Sequence, residues 1–191
     1  VPKLPAHAKN DPEVKKKLQE AIAEGDSLGG IVECTIKCQN LLIGLGEPFW
    51  DSLESLISHA IFSIPGVRGI EFGDGFAASR MKGSEHNDPI GADMLPVKNG
   101  AGGINGGISN GAPIVFRVAF KPTSSISKPQ VTFNFESKQM EALQIKGRHD
   151  VCFALRTPVI VEAMAAIVMA DLSALNDSAC LPLEDAEDVE D

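Results

Sequence analysis

Apolar and polar residues alternate in several segments of the chain, and this period of two predicts β-strands. Strands are predicted at Ile31–Gln39, Val67–Phe72, Ile114–Phe120 and Val131–Phe135. In the first of these, one face carries Val32, Cys34, Ile36 and Cys38. Because the alternating strands are apolar on one side only, we expect a sheet that buries one face.

Three other segments carry apolar residues at helical spacing. Asp11 followed by Pro12 is a typical helix start, and Gly25 is a suitable end. A second helix is predicted between Glu47-Pro48 and Pro65-Gly66, and a third from Pro158 to about Leu175. This order of elements predicts an α+β fold, in which helices pack on one face of an antiparallel or mixed sheet.

Changes in composition suggest three regions. We expect a linker with a short helix at 1–29, the folded domain at 30–176 and an acidic, mobile tail at 177–191. The formal net charge of −9 argues against nucleic-acid binding, which requires a basic surface. Residues Ala77–Lys98 form a long polar segment without a clear period, which is either a lid or disordered.

The sequence also favours a cytoplasmic protein. No apolar run approaches the roughly 20 residues of a membrane span, and no signal-peptide pattern precedes Val1-Pro2. The four cysteines do not form a disulfide scaffold. Cys34 and Cys38 would lie about 13 Å apart on one strand, which is too far for a disulfide.

A glycine-rich loop, a strand and a polar segment follow one another in the middle of the chain. Six glycines lie between Asn99 and Gly111, and Lys121-Pro122-Thr123-Ser124-Ser125 follows the strand. Glycines allow a ligand to approach the backbone, and successive N–H groups can bind an anion. We therefore predict a site for a phosphate-bearing ligand, with simple turns and a solvated strand end as the alternative. No P-loop motif is present.

A second group of reactive side chains precedes the last helix. Arg148-His149-Asp150 brings a cation, an imidazole and a carboxylate together, and Arg156 follows. Arginine is suited to bidentate binding of phosphate or carboxylate, and a nearby aspartate can act as a base. A structural Arg–Asp ion pair is the alternative interpretation.

Five segments, in the expected order, resemble those of the chorismate synthase family. They are Gly44–Pro48, Gly69–Phe76, Asn99–Gly111, Lys121–Ile126 and Gly147–Cys152, followed by Arg156 and Glu162-Ala163-Met164. The resemblance spans about Gly30 to Asp171 and indicates the C-terminal half of the family's chain. Val151 and Thr157 depart from the signature, which more often has proline and a small apolar residue there.

The resemblance implies a lyase of the shikimate pathway of aromatic amino-acid biosynthesis. Its reaction converts 5-enolpyruvylshikimate 3-phosphate to chorismate and phosphate by an anti-1,4-elimination that needs reduced FMN. By position, the FMN contacts would be Pro65, Gly66, Gly106, Lys121, Pro122, Thr123, Ser124, Ser125 and Arg148. Arg148 would also face the substrate, and Asp150 would manage a proton at the flavin, so both are candidate catalytic residues. No metal is implied.

The resemblance further implies a homotetramer in which two antiparallel sheets enclose a layer of helices. This chain would supply one sheet with its helices. Two histidine motifs of the family, Gly-Glu-Ser-His-Gly and Arg-Pro-Gly-His, do not occur in this sequence. We therefore expect the isolated chain to lack most of the catalytic groups, and to pair with the missing half or with itself.

Three functions are consistent with these observations. The first is one half of an FMN-dependent lyase, which the five segments favour. The second is a non-enzymatic assembly module that binds no flavin by itself. The third is a phosphate-ligand domain of an unrelated role, which the glycine-rich segment alone would permit.

Overall fold

A computed structural model describes residues 11–37 and 43–179. Within this part of the chain, β1 (Gly30–Ile36), β2 (Val67–Phe72) and a longer central strand at Ile114–Phe120 form one sheet. The central strand lies between β1 and β2 and pairs antiparallel with both. The expected α+β fold with an antiparallel sheet is confirmed. Cys38 and most of the acidic tail lie outside the described residues.

The remaining elements are helices and two small hairpins. The helices are α1 (Pro12–Glu24), α2 (Leu53–Phe62), α3 (Gly83–His86) and α4 (Pro158–Ala179). One hairpin consists of β3 (Ile104–Asn105) and β4 (Ile108–Ser109), so the central strand is β5, and the second hairpin consists of β6 (Gln130–Asn134) and β7 (Gln139–Leu143). Short 3-10 turns lie at Phe49–Asp51, Gly75–Arg80 and Phe153–Arg156.

The core lies between one face of the sheet and the two long helices. Alternate residues of β5 are buried, and Phe116 and Val118 are fully enclosed. Leu53 and Ile57 of α2 and Val161 of α4 are likewise fully buried against this face. Burial of each such side chain contributes about 1.5–3 kcal/mol, so the apolar alternation of β5 fixes which side of the sheet the helices cover.

Helix α1 has the ends that the sequence predicts. The Asp11 carboxylate accepts hydrogen bonds from the N–H groups of Glu13 and Val14, and Gly25 adopts a left-handed φ of +67°. At the C-terminal end of the helix, the Lys128 ammonium lies 3.3 Å from the Glu24 carboxylate and 2.9 Å from the Asp26 carboxylate. These ion pairs therefore link the C-terminal end of α1 to the segment that follows β5.

The structure corrects the bounds of three expected elements and adds one strand. Strand β1 begins at Gly30 rather than Ile31 and ends at Ile36, while Cys38 and Gln39 lie outside the described residues. Helix α2 begins at Leu53 rather than at Glu47, because Phe49 has a φ of +65° that no α-helix accepts and Ser52 caps the helix instead. Strand β6 lies one residue earlier than expected. Strand β7 is an element that the sequence analysis did not predict.

Helix α4 corrects the expectation about apolar runs. Its stretch Pro158–Asn176 has a mean hydropathy of 1.8 and is, by length and composition, long and apolar enough to cross a membrane. In this fold the helix packs against β1 and α2, and 17% of that stretch is buried.

The polar segment 77–98 is folded, which contradicts the interpretation that it is disordered. It contains α3 and is held by the Asp88 carboxylate, which accepts hydrogen bonds from the N–H groups of Lys98 (2.7 Å) and Gly100 (2.8 Å). Partial burial raises the pKa of Asp88, but these hydrogen bonds outweigh it and hold the pKa below its ordinary value.

Candidate functional site

The predicted site residues lie at two opposite ends of β5. Gly106 belongs to the hairpin before this strand, whereas Lys121–Ser125 follows it. Because a strand rises about 3.3 Å per residue, the seven residues of β5 separate the two regions by roughly 20 Å. The strand is one rigid element with a polar region at each end, as expected, but it does not bring Gly106 to the other candidates.

Gly66 and Lys121 lie side by side. The N–H group of Lys121 donates a hydrogen bond of 2.9 Å to the carbonyl oxygen of Gly66. Gly66 has a φ of +91°, and a β-carbon there would overlap the ring of Phe153. Phe153 in turn packs edge-on against Phe120, with ring centroids 5.9 Å apart. The turn of Pro65 and Gly66 thus joins the end of β5 to the segment that follows Asp150.

Residues Thr123–Ser125 approach the Arg148–Asp150 segment directly. The Ser125 hydroxyl and the His149 Nδ1 are 3.1 Å apart and share a hydrogen bond. The Ser27 hydroxyl donates a hydrogen bond of 2.6 Å to the Thr123 carbonyl oxygen. The two polar segments that the sequence singled out therefore form one cluster, with the chain before β1 as a third contributor.

Several polar groups of this cluster have no partner within residues 11–37 and 43–179. The Thr123 Oγ1 is buried and makes no hydrogen bond there. The N–H groups of Thr123, Ser124 and Ser125 donate to no other described group. A buried hydroxyl without a partner costs about 1–3 kcal/mol. These donors, with the half-buried Lys121, form a polar surface suited to an anion.

Asp150 is held by two groups. Its Oδ1 accepts a hydrogen bond of 3.3 Å from the N–H group of Cys152, and its Oδ2 faces the Arg156 guanidinium. Asp150 and Arg156 have side chains that are 32% and 54% exposed, although the Asp150 Oδ2 that faces the guanidinium is itself buried. Arg148 is exposed and makes no ion pair within the described part of the chain, so its guanidinium is available to a ligand.

In the glycine hairpin at the other end of β5, the neighbouring residues Gly106 and Gly107 have different structural roles. Gly106 and Gly107 form the turn between β3 and β4, with φ values of +61° and +90°. A β-carbon on Gly107 would lie 2.5 Å from the Glu47 carbonyl oxygen, whereas one on Gly106 would meet nothing within 4 Å. Gly107 is therefore required for close packing, and Gly106 faces open space.

Sequence reasoning missed the contribution of Ser27 and assigned no role to His149. Ser27 lies in a loop that is 96 residues distant from Thr123 in sequence, and no local pattern marks it. His149 lies within the Gly147–Cys152 segment, between the candidate catalytic residues Arg148 and Asp150. Beside the cluster, between α1 and the start of β1, lies a cavity of about 660 Å³ bordered by Leu28, Gly29 and Cys152. Burial raises the pKa of the Cys152 thiol.

No group of three or more His, Cys, Asp or Glu side chains within the described ranges could hold a metal ion. Any anion bound among the described residues would therefore be held by N–H groups, hydroxyls, lysine and arginine.

Comparison with known proteins agrees with the resemblance. Residues 3–174 match the chorismate synthase family model. The chorismate synthase of Chitinophaga pinensis is 58% identical over 165 residues, which cover 86% of this chain and 49% of that protein. The chorismate synthase of a Dehalococcoides mccartyi strain is 52% identical over 159 residues, covering 82% and 43%.

A solved structure gives the same answer for the fold. A crystal structure of a chorismate synthase superimposes with a TM-score of 0.68 and 32% sequence identity, covering 86% of this chain and 43% of the other. The chain thus spans about half the length of the relatives that it matches. With a family match over most of its length and relatives above half identity, the chain belongs to the chorismate synthase family.

Proposed function

We propose that this chain provides one side of a site that binds FMN and 5-enolpyruvylshikimate 3-phosphate, and that it takes part in forming chorismate and phosphate from that substrate. The observation that supports this most strongly is the cluster of Lys121–Ser125 with Arg148–Asp150, joined by the hydrogen bond between Ser125 and His149. Both segments carry family motifs, and the fold places them together although 23 residues separate Ser125 from His149.

The residues of the cluster fit the polar parts of FMN. The unpartnered Thr123 Oγ1 and the free N–H groups of Thr123–Ser125 offer hydrogen bonds to phosphate or ribityl oxygens, and Lys121 offers a positive charge. Because Gly66 has no side chain, the backbone there can lie close to the Phe153 ring. When bound, reduced FMN would supply electron density to the reaction and take it back, so that no net oxidation occurs.

Arg148 and Asp150 would act on the reacting groups. The unpaired Arg148 guanidinium is suited to hold the substrate's phosphate or carboxylate. Asp150 is oriented by the Cys152 N–H group and by Arg156, so its carboxylate keeps a fixed direction and could accept or return a proton. Both proposed roles require that the ligand lie on the exposed side of this pair.

We further propose that the chain acts together with a polypeptide that carries the two histidine motifs, which are absent from this sequence. The relatives are about twice as long as the part that they share with this chain. The homotetramer implied by the resemblance and the cytoplasmic location that the sequence favours are part of the same proposal. Gly106 would then act at a second region, on the far side of β5.

Reconstitution tests this proposal. The chain is mixed with the part of the Chitinophaga pinensis chorismate synthase that it does not match, and chorismate formation is measured with reduced FMN under anaerobic conditions. Turnover that needs both polypeptides is the expected result. If the two polypeptides form a stable complex that binds the substrate but produces no chorismate, the proposed lyase function is wrong.

A second candidate is an assembly module that binds no flavin, and exposed apolar residues of α4 favour it. Val159, Ile160 and Ile167 on this helix are exposed although the opposite side is buried in the core. A complex that forms readily but leaves the fluorescence of oxidised FMN unchanged would support the assembly module over the lyase.

A further inference from the structure

Three asparagine residues of the glycine-rich segment are each followed directly by glycine: Asn99, Asn105 and Asn110. Asparagine is a thermolabile residue, because the backbone nitrogen that follows it can attack its side-chain amide. Glycine has no β-carbon to hinder that nitrogen, so the three sites have the same local chemistry. Any difference in their reactivity therefore comes from the fold.

The fold leaves the Asn105 site open. Asn105 and Gly106 are both exposed at the turn of the β3–β4 hairpin. The Gly106 N–H group donates to no other described group, and a β-carbon on Gly106 would meet nothing within 4 Å. The Asn110 side-chain amide donates a hydrogen bond of 2.6 Å to the Asn105 Oδ1. This bond withdraws electrons from the Asn105 Cγ, the carbon that is attacked.

The Asn99 site is restrained at both reacting groups. The Asn99 Nδ2 donates a hydrogen bond of 2.8 Å to the Pro113 carbonyl oxygen. Gly100 is buried, and its N–H group donates a hydrogen bond of 2.8 Å to the Asp88 carboxylate. The attacking nitrogen of this site is therefore already engaged.

The Asn110 carboxamide is held at both of its ends. Its Oδ1 accepts a hydrogen bond of 3.0 Å from the Ala112 N–H group, and its Nδ2 makes the bond to Asn105. A β-carbon on Gly111 would lie 2.9 Å from the Ile43 side chain, so this turn is packed where that of Gly106 is open. Movement of the Asn110 side chain towards Gly111 must break two hydrogen bonds in a crowded turn.

The reaction also requires the backbone at Asn105 to leave its strand conformation. Strands β3 and β4 have only two residues each and form a sheet separate from the main one. Short elements with few backbone hydrogen bonds open locally at low cost. The hairpin therefore permits attack at Asn105 while the main sheet stays folded.

We propose that Asn105 is a site of spontaneous deamidation, in which the Gly106 nitrogen attacks the Asn105 Cγ. A bond forms between these two atoms, the bond from Cγ to Nδ2 breaks, and Nδ2 leaves as ammonia with the proton of the Gly106 N–H group. Water then opens the cyclic imide at one of its two carbonyl carbons. The products are aspartate and isoaspartate, and in isoaspartate the main chain runs through the side-chain carbon.

The modification changes the charge of the surface around Gly106. Asn105 borders a cavity of about 700 Å³ that Asp88 and His86 also border. A carboxylate at position 105 adds a second negative charge to this cavity, and like charges oppose an anionic ligand. The deamidated chain should therefore bind an anion more weakly at this hairpin. That this anion is FMN rests on the proposed function, whereas the deamidation itself does not.

Peptide mapping of the full chain tests the proposal. The chain is kept at about pH 8 and 37 °C for several days, and samples are digested with trypsin. Cleavage after Lys98 and Arg117 releases residues 99–117, which contain all three sites, and fragmentation in the mass spectrometer assigns each mass increase to one asparagine. A zero-time sample corrects for reaction during digestion. We expect Asn105 to react at least about tenfold faster than Asn99 or Asn110.

Two comparisons separate the effect of the fold from that of the local sequence. In urea the three rates should become similar, because each site is then left with its own glycine alone. Gly106→Ala should slow the reaction at Asn105 by at least about tenfold and leave the other two sites unchanged, because its methyl group hinders the attacking nitrogen. Equal rates at the three sites of the folded chain, reaction of Asn105 in urea only, or an unchanged rate in Gly106→Ala would overturn the proposal.

The effect on binding is measured by FMN fluorescence titration of the reconstituted complex. Asn105→Asp carries the charge of the product, and Asn105→Gln keeps a neutral amide as the matched control. Asn105→Asp should bind FMN at least about threefold more weakly than Asn105→Gln. Equal affinities would show that the proposed effect of the charge is wrong. A wild-type complex that binds no FMN would contradict the proposed function instead, and the peptide map would still decide the deamidation.

Discussion

The N–H group of Lys121 donates a hydrogen bond to the Gly66 carbonyl oxygen at 2.9 Å, and this contact joins the end of β5 to the turn before β2. Two of the segments predicted to bind FMN therefore touch through their backbones. The ring of Phe153, in the segment that follows Asp150, lies close to Gly66 in the same corner. The candidate site is built on backbone contacts within a packed corner of the fold, which is a suitable way to hold a ligand in a fixed position.

This corner predicts a large effect for Gly66→Ala. The new methyl group would overlap the Phe153 ring and would place alanine at a φ of +91°, so we expect a loss of about 2–4 kcal/mol in the free energy of unfolding. Urea denaturation measures it. In a Phe153→Leu background the overlap is relieved and the loss should be smaller. An equal loss in both backgrounds would show that the backbone conformation alone is responsible.

The glycine hairpin offers a matched pair of substitutions. Gly106→Ala should cost only about 1 kcal/mol, for the left-handed backbone, since its β-carbon meets nothing within 4 Å. Gly107→Ala should cost at least about 3 kcal/mol, because its β-carbon lies 2.5 Å from the Glu47 carbonyl oxygen. Thermal and urea unfolding of both variants check the difference. Equal losses would mean that the hairpin does not pack against Glu47 as described.

The ion pairs of Lys128 predict a definite pH dependence. The hydrogen bond from Lys128 lowers the pKa of Asp26 below its ordinary 3.8, so this contribution to stability is present above that pH and is lost as the pH falls through the lowered value. The pairing with Asp26, more than that with Glu24, raises the pKa of Lys128 above 10.5, so its contribution is lost as the pH rises through that raised value.

Lys128→Met tests this window. Its Tm should lie below that of the wild type by a constant amount between about pH 5 and 9, and the difference should vanish towards pH 2–3. Lys82→Met, which removes a lysine without a described ion pair, is the control and should show no such profile. A difference that persists unchanged at pH 2 would mean that Lys128 stabilises the fold by packing instead.

Asp150→Asn separates catalysis from binding in the reconstituted enzyme. The substitution keeps the shape of the side chain and the bond from the Cys152 N–H group but removes the base, so turnover should fall by about 100-fold or more while FMN affinity stays unchanged. Urea denaturation reports separately the cost of weakening the pair with Arg156, in which the Asp150 Oδ2 is buried. Asp93→Asn, in the loop that joins α3 to β3, is the control and should retain full turnover. Wild-type turnover in Asp150→Asn would remove Asp150 from the mechanism.

The sequence predicted most of the sheet because its strands are apolar on one face only. The bounds of β2 and β5 agree with those expected, and in β5 the alternate burial is the local signal that the sequence carries. The sequence did not predict the start of α2 correctly. The helix begins at Leu53 because Phe49 adopts a positive φ, which the residue pattern does not reveal. It also missed β7, a short strand whose five residues are all exposed.

The candidate site was only partly predictable from the sequence. Family motifs identified the segments at Lys121 and Arg148, but their contact depends on a chain reversal through the β6–β7 hairpin, which no local pattern specifies. The position of Gly106 follows from simple geometry, because a seven-residue strand keeps its two ends roughly 20 Å apart. Its role as an FMN contact stays a prediction.

The most direct measurement is an FMN fluorescence titration of the reconstituted complex, with Lys121→Met and Arg148→Met as variants and Lys82→Met as the control. If the cluster at the end of β5 is the flavin site, the two variants should bind FMN at least tenfold more weakly, and Lys82→Met should bind it as the wild type does. If all four proteins bind FMN equally well, the cluster of Lys121–Ser125 with Arg148–Asp150 is not the flavin site.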